Sequence, residues 1–379
     1  MRSLYTRYRP YILLLALTLV SSFALWLPFI QQLSFLGVHI PGTDTGYVYR
    51  HFDGPLYVIA AKSWYDPQEI GRLIIDIPLS AGYYAAHLPL YPLTIRVLNI
   101  LIGIDPLKAM MLSTLVSGVL LSWTFYYVLK TLKITKYPGV LTAVMIMFPR
   151  LLVTRSVGTP EPMFLMLVVI SLFFFEKKRY VFSGLAGALA VMTKSPSTLL
   201  AVAYGLLMLV ELYKTRKIPW RMSWAPIGVT AGFVAVSLIY WAQYGDFFAY
   251  FNSGDNIHLV HPYAAFNREA RWVGTAWLED VLFYFAFYIL STITLFQQKY
   301  RSFFFFSLVF LIASSLVEHR DISRYTLPLL PLAMIAFERF FTSRRLVLMM
   351  LILTPGIYLY AWNFMQENVM PVSNWAPFL

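Results

Sequence analysis

The sequence contains no cysteine, and charged side chains are scarce. The absence of cysteine excludes disulfide bonds, thiolate metal sites and a cysteine nucleophile. Only 13% of the 379 residues are charged, whereas soluble proteins carry about 25%. Hydrophobic residues make up 59% of the chain, and the mean hydropathy is +0.64. These values exclude a soluble enzyme of ordinary composition and indicate a polytopic membrane protein.

The net charge of +12 comes from lysine and arginine residues that are grouped between apolar segments. The clusters are Arg2/Arg7/Arg9, Lys130/Lys133/Lys136, Lys177/Lys178/Arg179, Lys214/Arg216/Lys217/Arg221, Lys299/Arg301 and Arg339/Arg344/Arg345. Cytoplasmic loops of membrane proteins carry such clusters, so we expect each of them to face the cytoplasm. The basic residues form no contiguous stripe, and we therefore predict no nucleic-acid partner.

The apolar segments and the cytoplasmic position of the basic clusters predict a single transmembrane domain over residues 1–379. It is expected to lie in the cell membrane with a cytoplasmic N-terminus. About eleven helices are expected to cross the membrane. They cover residues 11–30, 107–129, 137–153, 160–175, 180–193, 197–212, 225–242, 276–296, 302–317, 325–341 and 346–362. External loops are predicted over residues 31–106 and 243–275.

Two details of this topology follow from charge and length. Residues 88–103 are predicted to lie in the outer interface, because a span there would place Lys130, Lys133 and Lys136 outside. Residues 180–212 would form one helix about 50 Å long, much longer than a hydrocarbon core of about 30 Å. We therefore expect a break at Lys194-Ser195-Pro196, since proline interrupts helices.

Acidic residues and histidines are distributed unequally between the two sides of this topology. Only Glu176, Glu211 and Glu338 of the 18 acidic residues are predicted inside, and all 6 histidines are predicted outside. Ionisable groups near lipid are costly and tend to mark functional cavities. The outer face is therefore the expected working face.

The segment His51–Ala60 contains a carboxylate, Asp53, that is a candidate catalytic group. Its apolar residues recur at helical spacing, which predicts an amphipathic helix lying on the membrane. Asp53 directly precedes Gly54-Pro55, a common start of a helix. Its carboxylate is expected to cap that helix or to act as a general base facing a cavity, and the two roles are not exclusive.

Five short motifs follow one another between residues 51 and 331. They are His51-Phe52-Asp53-Gly54-Pro55-Leu56-Tyr57-Val58-Ile59-Ala60, Leu88-Pro89-Leu90-Tyr91-Pro92-Leu93-Thr94-Ile95-Arg96, Thr159-Pro160-Glu161-Pro162-Met163-Phe164, the stretch from Gly184 to Pro196, and Arg324-Tyr325-Thr326-Leu327-Pro328-Leu329-Leu330-Pro331. Together they resemble the motifs of PIG-V-like mannosyltransferases, which are GT-C membrane glycosyltransferases. In the third motif a proline interrupts the family pattern. The resemblance implies an all-α, GT-C-like bundle.

The same resemblance implies an inverting transfer of a sugar, by analogy mannose, from a polyprenyl-phosphate-sugar donor. The acceptor is expected to be a lipid or a glycan at the extracytoplasmic membrane face, and membrane lipids surround the protein. Asp53 is then expected to take the proton of the acceptor hydroxyl. The lipid phosphate is already a good leaving group, so it needs only cations and hydrogen-bond donors.

Cations at the outer ends of helices are the candidates for binding the donor phosphate. We predict this role for Lys194, Arg155, Arg320, Arg324 and His319. Structural alternatives stay open, because Lys194 can extend to the membrane interface and some arginines are expected to pair with Glu161, Glu318 or Asp321. Substrate contacts are predicted for His51, Tyr57, Tyr91 and Glu161.

Asp44 is the rival base and a further candidate for substrate binding. It lies in Gly42-Thr43-Asp44-Thr45-Gly46, and aspartates in such turns usually bond to their own backbone. The first external loop has no Asp-x-Asp or Glu-x-Asp pair, and His258 with His261 supplies too few ligands for a metal site. We therefore predict an enzyme without a metal or another cofactor.

A transporter or flippase of polyprenyl-linked glycans is the alternative function. Many transporters contain an internal repeat and place polar groups near the middle of the membrane. This sequence has no recognisable repeat, and its ionisable residues are predicted to collect at one face. A noncatalytic scaffold is a third alternative, but it would not require such an unequal distribution of polar residues.

Overall fold

The computed structural model describes residues 2–31, 46–74, 77–254, 259–266, 275–319, 321–367, 369–370, 372 and 374–379, without the side chains of residues 2–7, 275–277 and 367. Regular structure in this part of the chain is helical. Pairing of β type is confined there to two isolated bridges, His51 with Val369 and Leu259 with Val317. The predicted all-α fold is confirmed.

The described residues form nineteen α-helices and six 3-10 helices. The α-helices are α1 (Arg2–Gln31), α2 (Gly46–Tyr49), α3 (Gly54–Ser63), α4 (Pro67–Leu73), α5 (Leu90–Ile102), α6 (Pro106–Thr131), α7 (Pro138–Ile146), α8 (Pro149–Thr154), α9 (Glu161–Glu176), α10 (Tyr180–Thr193), α11 (Leu199–Thr215), α12 (Trp224–Tyr244), α13 (Ala249–Asn252), α14 (Thr275–Phe296), α15 (Arg301–Ser315), α16 (Ile322–Tyr325), α17 (Leu330–Ala336), α18 (Glu338–Phe341) and α19 (Arg344–Glu367). Short 3-10 helices cover Ala81–Ala86, Ser195–Thr198, Trp220–Ser223, Ala264–Phe266, Leu327–Leu329 and Ala376–Phe378.

Six helical segments of the described chain are long and apolar enough to cross a membrane. They are Tyr8–Gln31, Pro106–Thr131, Ser195–Thr215, Trp220–Tyr244, Leu278–Phe296 and Arg344–Gln366. Shorter apolar helices cover Leu90–Ile102, Tyr180–Thr193, Arg301–Ser315 and Leu327–Ala336. These segments agree with the predicted multi-pass membrane protein.

Prolines divide several of the predicted spans. Residues 137–153 form α7 and α8, which are separated just before Pro149. Residues 325–341 form a series of short helices that contains Pro328 and Pro331. Proline lacks a backbone donor and clashes with the preceding turn, so it divides helices at these positions. The predicted break after α10 is confirmed, because α10 ends at Thr193 and a 3-10 turn follows Lys194.

Small residues allow α10 and α12 to approach each other closely. A Cβ atom at Gly184 would lie 2.5 Å from the Trp224 carbonyl oxygen, and one at Gly228 would lie 2.6 Å from the Gly184 backbone. A Cβ atom at Gly232 would lie 2.5 Å from Ala188. Glycines four residues apart are a common device for packing helices within membranes. This contact fixes α10, which carries Lys194 at its C-terminal end.

Replacing Gly228 by alanine is expected to lower the free energy of unfolding by about 1–3 kcal/mol, because the added methyl group forces α10 and α12 apart. Gly205→Ala on α11 is the matched control, since a Cβ atom there meets nothing within 4 Å. The control gains helix propensity and should be neutral or slightly stabilising. Thermal unfolding of the purified proteins measures both effects, and equal behaviour of the two variants would contradict the close packing.

Helix α3 departs from the predicted position on the membrane surface. Residues Gly54–Ala61 and Ser63 are all buried within the protein. Helix α5, in contrast, buries Tyr91, Pro92 and Ile95 and leaves Ile100, Leu101 and other apolar residues exposed. The surface position predicted for α3 is therefore wrong, whereas α5 has the apolar exposed side that an interfacial helix needs.

Candidate active site

Asp53 directly precedes α3 and its side chain is accessible. Phe52, the residue before it, has a left-handed backbone with a φ of +54°. Non-glycine residues adopt this conformation rarely, and such strain is found at functional sites. The Asp53 carboxylate makes no capping hydrogen bond to α3, and 42% of the side chain is exposed. The capping alternative is thus excluded by this geometry, and Oδ2 lies 3.5 Å from Nη2 of Arg324.

Two glycines bring the turn after α8 against the start of α3. A Cβ atom at Gly54 would lie 3.0 Å from the Tyr49 carbonyl oxygen and 3.1 Å from that of Gly158. One at Gly158 would lie 2.3 Å from the sulfur of Met110. Larger residues at either position would push these segments apart. The close approach places Glu161, which begins α9, near Asp53.

Glu161 holds two cations from distant parts of the chain. Its Oε1 accepts hydrogen bonds from Nζ of Lys194, at 2.8 Å, and from Nε of Arg324, at 2.5 Å. The Glu161 side chain is 2% exposed, whereas that of Lys194 is 18% exposed. Arg324 also contacts Asp53, so an electrostatic chain runs from Lys194 through Glu161 and Arg324 to Asp53. The pairing with Glu161 that was the alternative for the arginines is therefore observed for Arg324, and Lys194 joins the same carboxylate.

Phe52 forms a platform for two guanidinium groups. The Cζ atom of Arg324 lies 4.1 Å from the centre of the Phe52 ring, and that of Arg150 lies 5.3 Å from it. Arg150 is almost fully buried and is paired with Asp321. Cations above aromatic faces are stabilised by the ring quadrupole. Phe52 therefore stabilises positive charge next to Asp53. Phe52 belongs to the His51–Ala60 motif, but its position in the sequence does not predict this role.

His87 is a member of this site that lies outside the five sequence motifs. Its ring lies 4.8 Å from that of Tyr57 and is buried. The pKa of His87 is lowered to about 4, mainly by burial; the nearby Asp53 opposes this shift, and the Arg324 and Lys194 charges add to it. The imidazole is therefore neutral at physiological pH. Its position directly before the Leu88–Arg96 motif is the one signal that pointed to it.

Stability is expected to fall as the pH drops from about 6.5 towards 4, because the unfolded His87 binds a proton in that range and the folded one does not. Over this window the loss is about 3 kcal/mol. His87→Gln should flatten this dependence, whereas His261→Gln, in an exposed loop, should not. Thermal unfolding between pH 4 and pH 7 tests the prediction, and parallel curves for wild type and His87→Gln would refute it.

Arg155 has a structural role instead of the predicted contact with phosphate. Its guanidinium is fully buried and donates to α1, at 3.0 Å to the Thr18 carbonyl oxygen, 2.8 Å to Ser22 Oγ and 2.5 Å to Ser21 Oγ. Its Nε donates to the Ile146 carbonyl oxygen at 2.9 Å. The phosphate role predicted for Arg155 is not compatible with this geometry, because its donors are used to hold α1 in place.

Tyr91 and His51 are also placed away from any accessible surface. Tyr91 is fully buried, and its hydroxyl lies 2.6 Å from Thr114 Oγ1. His51 is fully buried against the rings of Phe52 and Phe364. Burial, followed by the Arg150 and Arg324 charges, lowers the pKa of His51. The substrate contacts predicted for Tyr91 and His51 are therefore not available in this structure.

The remaining candidates are Tyr57, His319, Asp44 and Arg320. Tyr57 is 5% exposed and packs against the Tyr91 and His87 rings. His319 accepts a hydrogen bond from the Asp321 backbone at 2.9 Å, and its ring contacts Tyr325. Asp44, Arg320 and His258 lie outside the described residues. The roles of all these residues stay predictions.

Metal-ligating side chains do not come together in the part of the chain that is described. No group of three or more His, Cys, Asp or Glu residues there is arranged to hold a metal ion. The described residues therefore offer no metal site, and the independence of metal stays a prediction.

No protein-family model matches the sequence, and no curated protein is significantly similar to it. Among solved structures, the Archaeoglobus fulgidus oligosaccharyltransferase, tethered with an acceptor peptide containing the NVT sequon, matches with a TM-score of 0.55. The match covers 98% of this chain at 11% identity, and this chain spans 57% of that one. The fold is GT-C-like. The predicted bundle is thus confirmed, and at 11% identity the similarity extends to the fold alone.

Proposed function

We propose that this protein is an inverting glycosyltransferase that moves a sugar, with mannose as the first candidate, from a polyprenyl-phosphate-sugar donor to a lipid or glycan acceptor. Transfer would take place on the extracytoplasmic side of the membrane. The observation that carries this proposal is the accessible Asp53 carboxylate beside the Lys194, Glu161 and Arg324 cluster. The GT-C-like fold shared with an oligosaccharyltransferase supports the same class of reaction.

Asp53 is suited to act as the base of an inverting displacement. Such a reaction needs one carboxylate on the side from which the acceptor attacks. The Asp53 side chain is 42% exposed and is not used as a helix cap, so a hydroxyl group can reach it. In the reaction the acceptor oxygen bonds to the anomeric carbon and its proton passes to the Asp53 carboxylate. The bond between the anomeric carbon and the phosphate oxygen breaks, and polyprenyl phosphate leaves.

Lys194 and Arg324 are suited to bind the phosphate of the donor. Both contact a single oxygen of Glu161, which keeps them together. Each cation still has further N–H groups that can donate hydrogen bonds to a phosphate. An ammonium group has three N–H hydrogen-bond donors, and a guanidinium group has five. Charge-assisted hydrogen bonds to phosphate stabilise the leaving group as negative charge develops on it. Glu161 then acts through these cations and positions them for the donor.

The decisive experiment is transfer of a radiolabelled sugar from polyprenyl-phosphate mannose, glucose or arabinose to lipid and glycan acceptors. One of these donors is expected to support transfer by the purified protein in liposomes. Lys194→Ala should raise the KM for that donor about tenfold or more, since a hydrogen bond between charged groups is lost. Lys177→Ala, in an exposed turn between α9 and α10, is the matched control. Movement of donors across the bilayer without any transfer would instead favour the transporter.

A further inference from the structure

A cavity of about 620 Å³ lies at the end of the helix bundle opposite to Asp53. Helix α6 connects the two places. Met110, near its start, contacts the glycines beside Asp53, and Lys133, just after its end, lines the cavity. A helix of 26 residues is about 39 Å long. Arg324 and Ala336 are related in the same way. The 3-10 helix Leu327–Leu329 and α17 lead from Arg324 to Ala336, which lines the cavity.

The lining of this cavity is basic. Lys133, Lys299 and Arg339 contribute three cations, and Glu338 contributes one carboxylate. Glu338 pairs with Arg339 at 3.7 Å, while Lys133 and Lys299 have no carboxylate partner within 4.0 Å among the described residues. Nζ of Lys299 lies 4.7 Å from the centre of the Tyr300 ring. Lys299 also interacts electrostatically with Glu176, the last residue of α9. Three cations are therefore accompanied by two carboxylates, and the cavity keeps a net positive charge.

The cavity lies where candidate spans end. Lys133 follows α6, and Lys299 follows α14, whose last residue is Phe296. Phe296 is 57% exposed, and Phe340 in the cavity wall is 59% exposed. Apolar side chains at the end of a span contact acyl chains, and basic groups beside them lie at the level of the lipid headgroups.

We infer that this cavity binds the phosphate of an anionic phospholipid headgroup. Its volume falls within the range of about 300–1,000 Å³ that is usual for small-ligand sites. The phosphodiester would contact Lys133 and Lys299, and the acyl chains would lie along Phe296 and Phe340. A free phosphate ion shares the charge but gains nothing from these apolar side chains. The inference does not depend on the glycosyltransferase activity.

The test measures lipid binding to the full chain in detergent micelles, by thermal unfolding and by native mass spectrometry. Phosphatidylglycerol is expected to raise the unfolding temperature and to remain bound, whereas phosphatidylcholine should do neither. The variant Lys133→Gln/Lys299→Gln should weaken phosphatidylglycerol binding about thirtyfold, because each basic residue near an anionic lipid contributes about fivefold to the affinity.

Lys177→Gln/Lys178→Gln is the matched control, because it removes two exposed lysines outside the cavity. It should bind phosphatidylglycerol like the wild type. Equal binding of phosphatidylcholine, or equal loss of binding in both double variants, would overturn the inference. Stabilisation by inorganic phosphate alone, to the extent seen with the lipid, would identify a free anion as the ligand and would also overturn it.

Discussion

Replacing Asp53 by asparagine is expected to lower sugar transfer by about 10³-fold, within the range that a general base contributes. Asparagine has the same shape but cannot accept the proton of the acceptor hydroxyl. Because the Asp53 side chain caps no helix and is accessible, the substitution should leave the fold intact. Donor binding should change little, since the cations that face the donor keep Glu161 as their partner.

Asp66→Asn is the matched control for this experiment. Asp66 lies in the same loop, and its carboxylate accepts hydrogen bonds from the Gln68 and Glu69 backbones at the start of α4. Asparagine is an equally good helix cap, so activity and stability should both be preserved. Initial rates of transfer and donor binding are measured for both variants. Full activity of Asp53→Asn would remove Asp53 from the mechanism.

Lengths of helices and the cost of buried charge account for what the sequence predicted correctly. The break at Lys194 followed from a helix too long for the membrane and a proline at its centre. The pairing of Glu161 with basic residues followed from the cost of isolated charge near lipid. Both features depend on properties of the chain itself and not on which helices are neighbours.

The errors concern properties that depend on neighbouring helices. In an apolar chain, periodicity cannot distinguish a side of a helix that contacts protein from one that contacts lipid, and for this reason it does not reveal that α3 is buried. Arg155 is predicted to contact phosphate because it is a cation near the outer end of a helix, but its partners, Ser21 and Ser22, lie more than 130 positions earlier in the chain. Sequence spacing alone gave no reason to connect these residues.

Replacing Glu161 by glutamine is expected to lower the free energy of unfolding by about 3 kcal/mol or more. The substitution removes the carboxylate that pairs with two largely buried cations, Lys194 and Arg324, whose side chains are 18% and 10% exposed. Breaking a buried ion pair from one side leaves uncompensated charge, which is strongly destabilising. Burial already lowers the pKa of Lys194, and Glu161 opposes that shift, so the variant should favour the neutral amine. Donor binding should weaken as well.

A double variant separates the loss of charge balance from the loss of function. Glu161→Gln/Lys194→Gln removes one cation together with the carboxylate, and it should recover part of the stability lost in Glu161→Gln. It should not recover donor binding, because Lys194 is one of the groups proposed to hold the phosphate. Recovery of donor binding together with stability would show that Lys194 serves only to neutralise Glu161.

Glu69→Gln provides the reference for an exposed pair. Glu69 pairs with Arg72 on the surface, where both side chains are largely exposed, and such pairs contribute about 0–1 kcal/mol. Thermal unfolding of the two variants should therefore differ clearly, with Glu69→Gln close to wild type. Similar unfolding temperatures would mean that water reaches the Glu161 cluster and screens its charges. Lys194 and Arg324 would then lack the low-dielectric surroundings in which their contacts with a donor phosphate are strong.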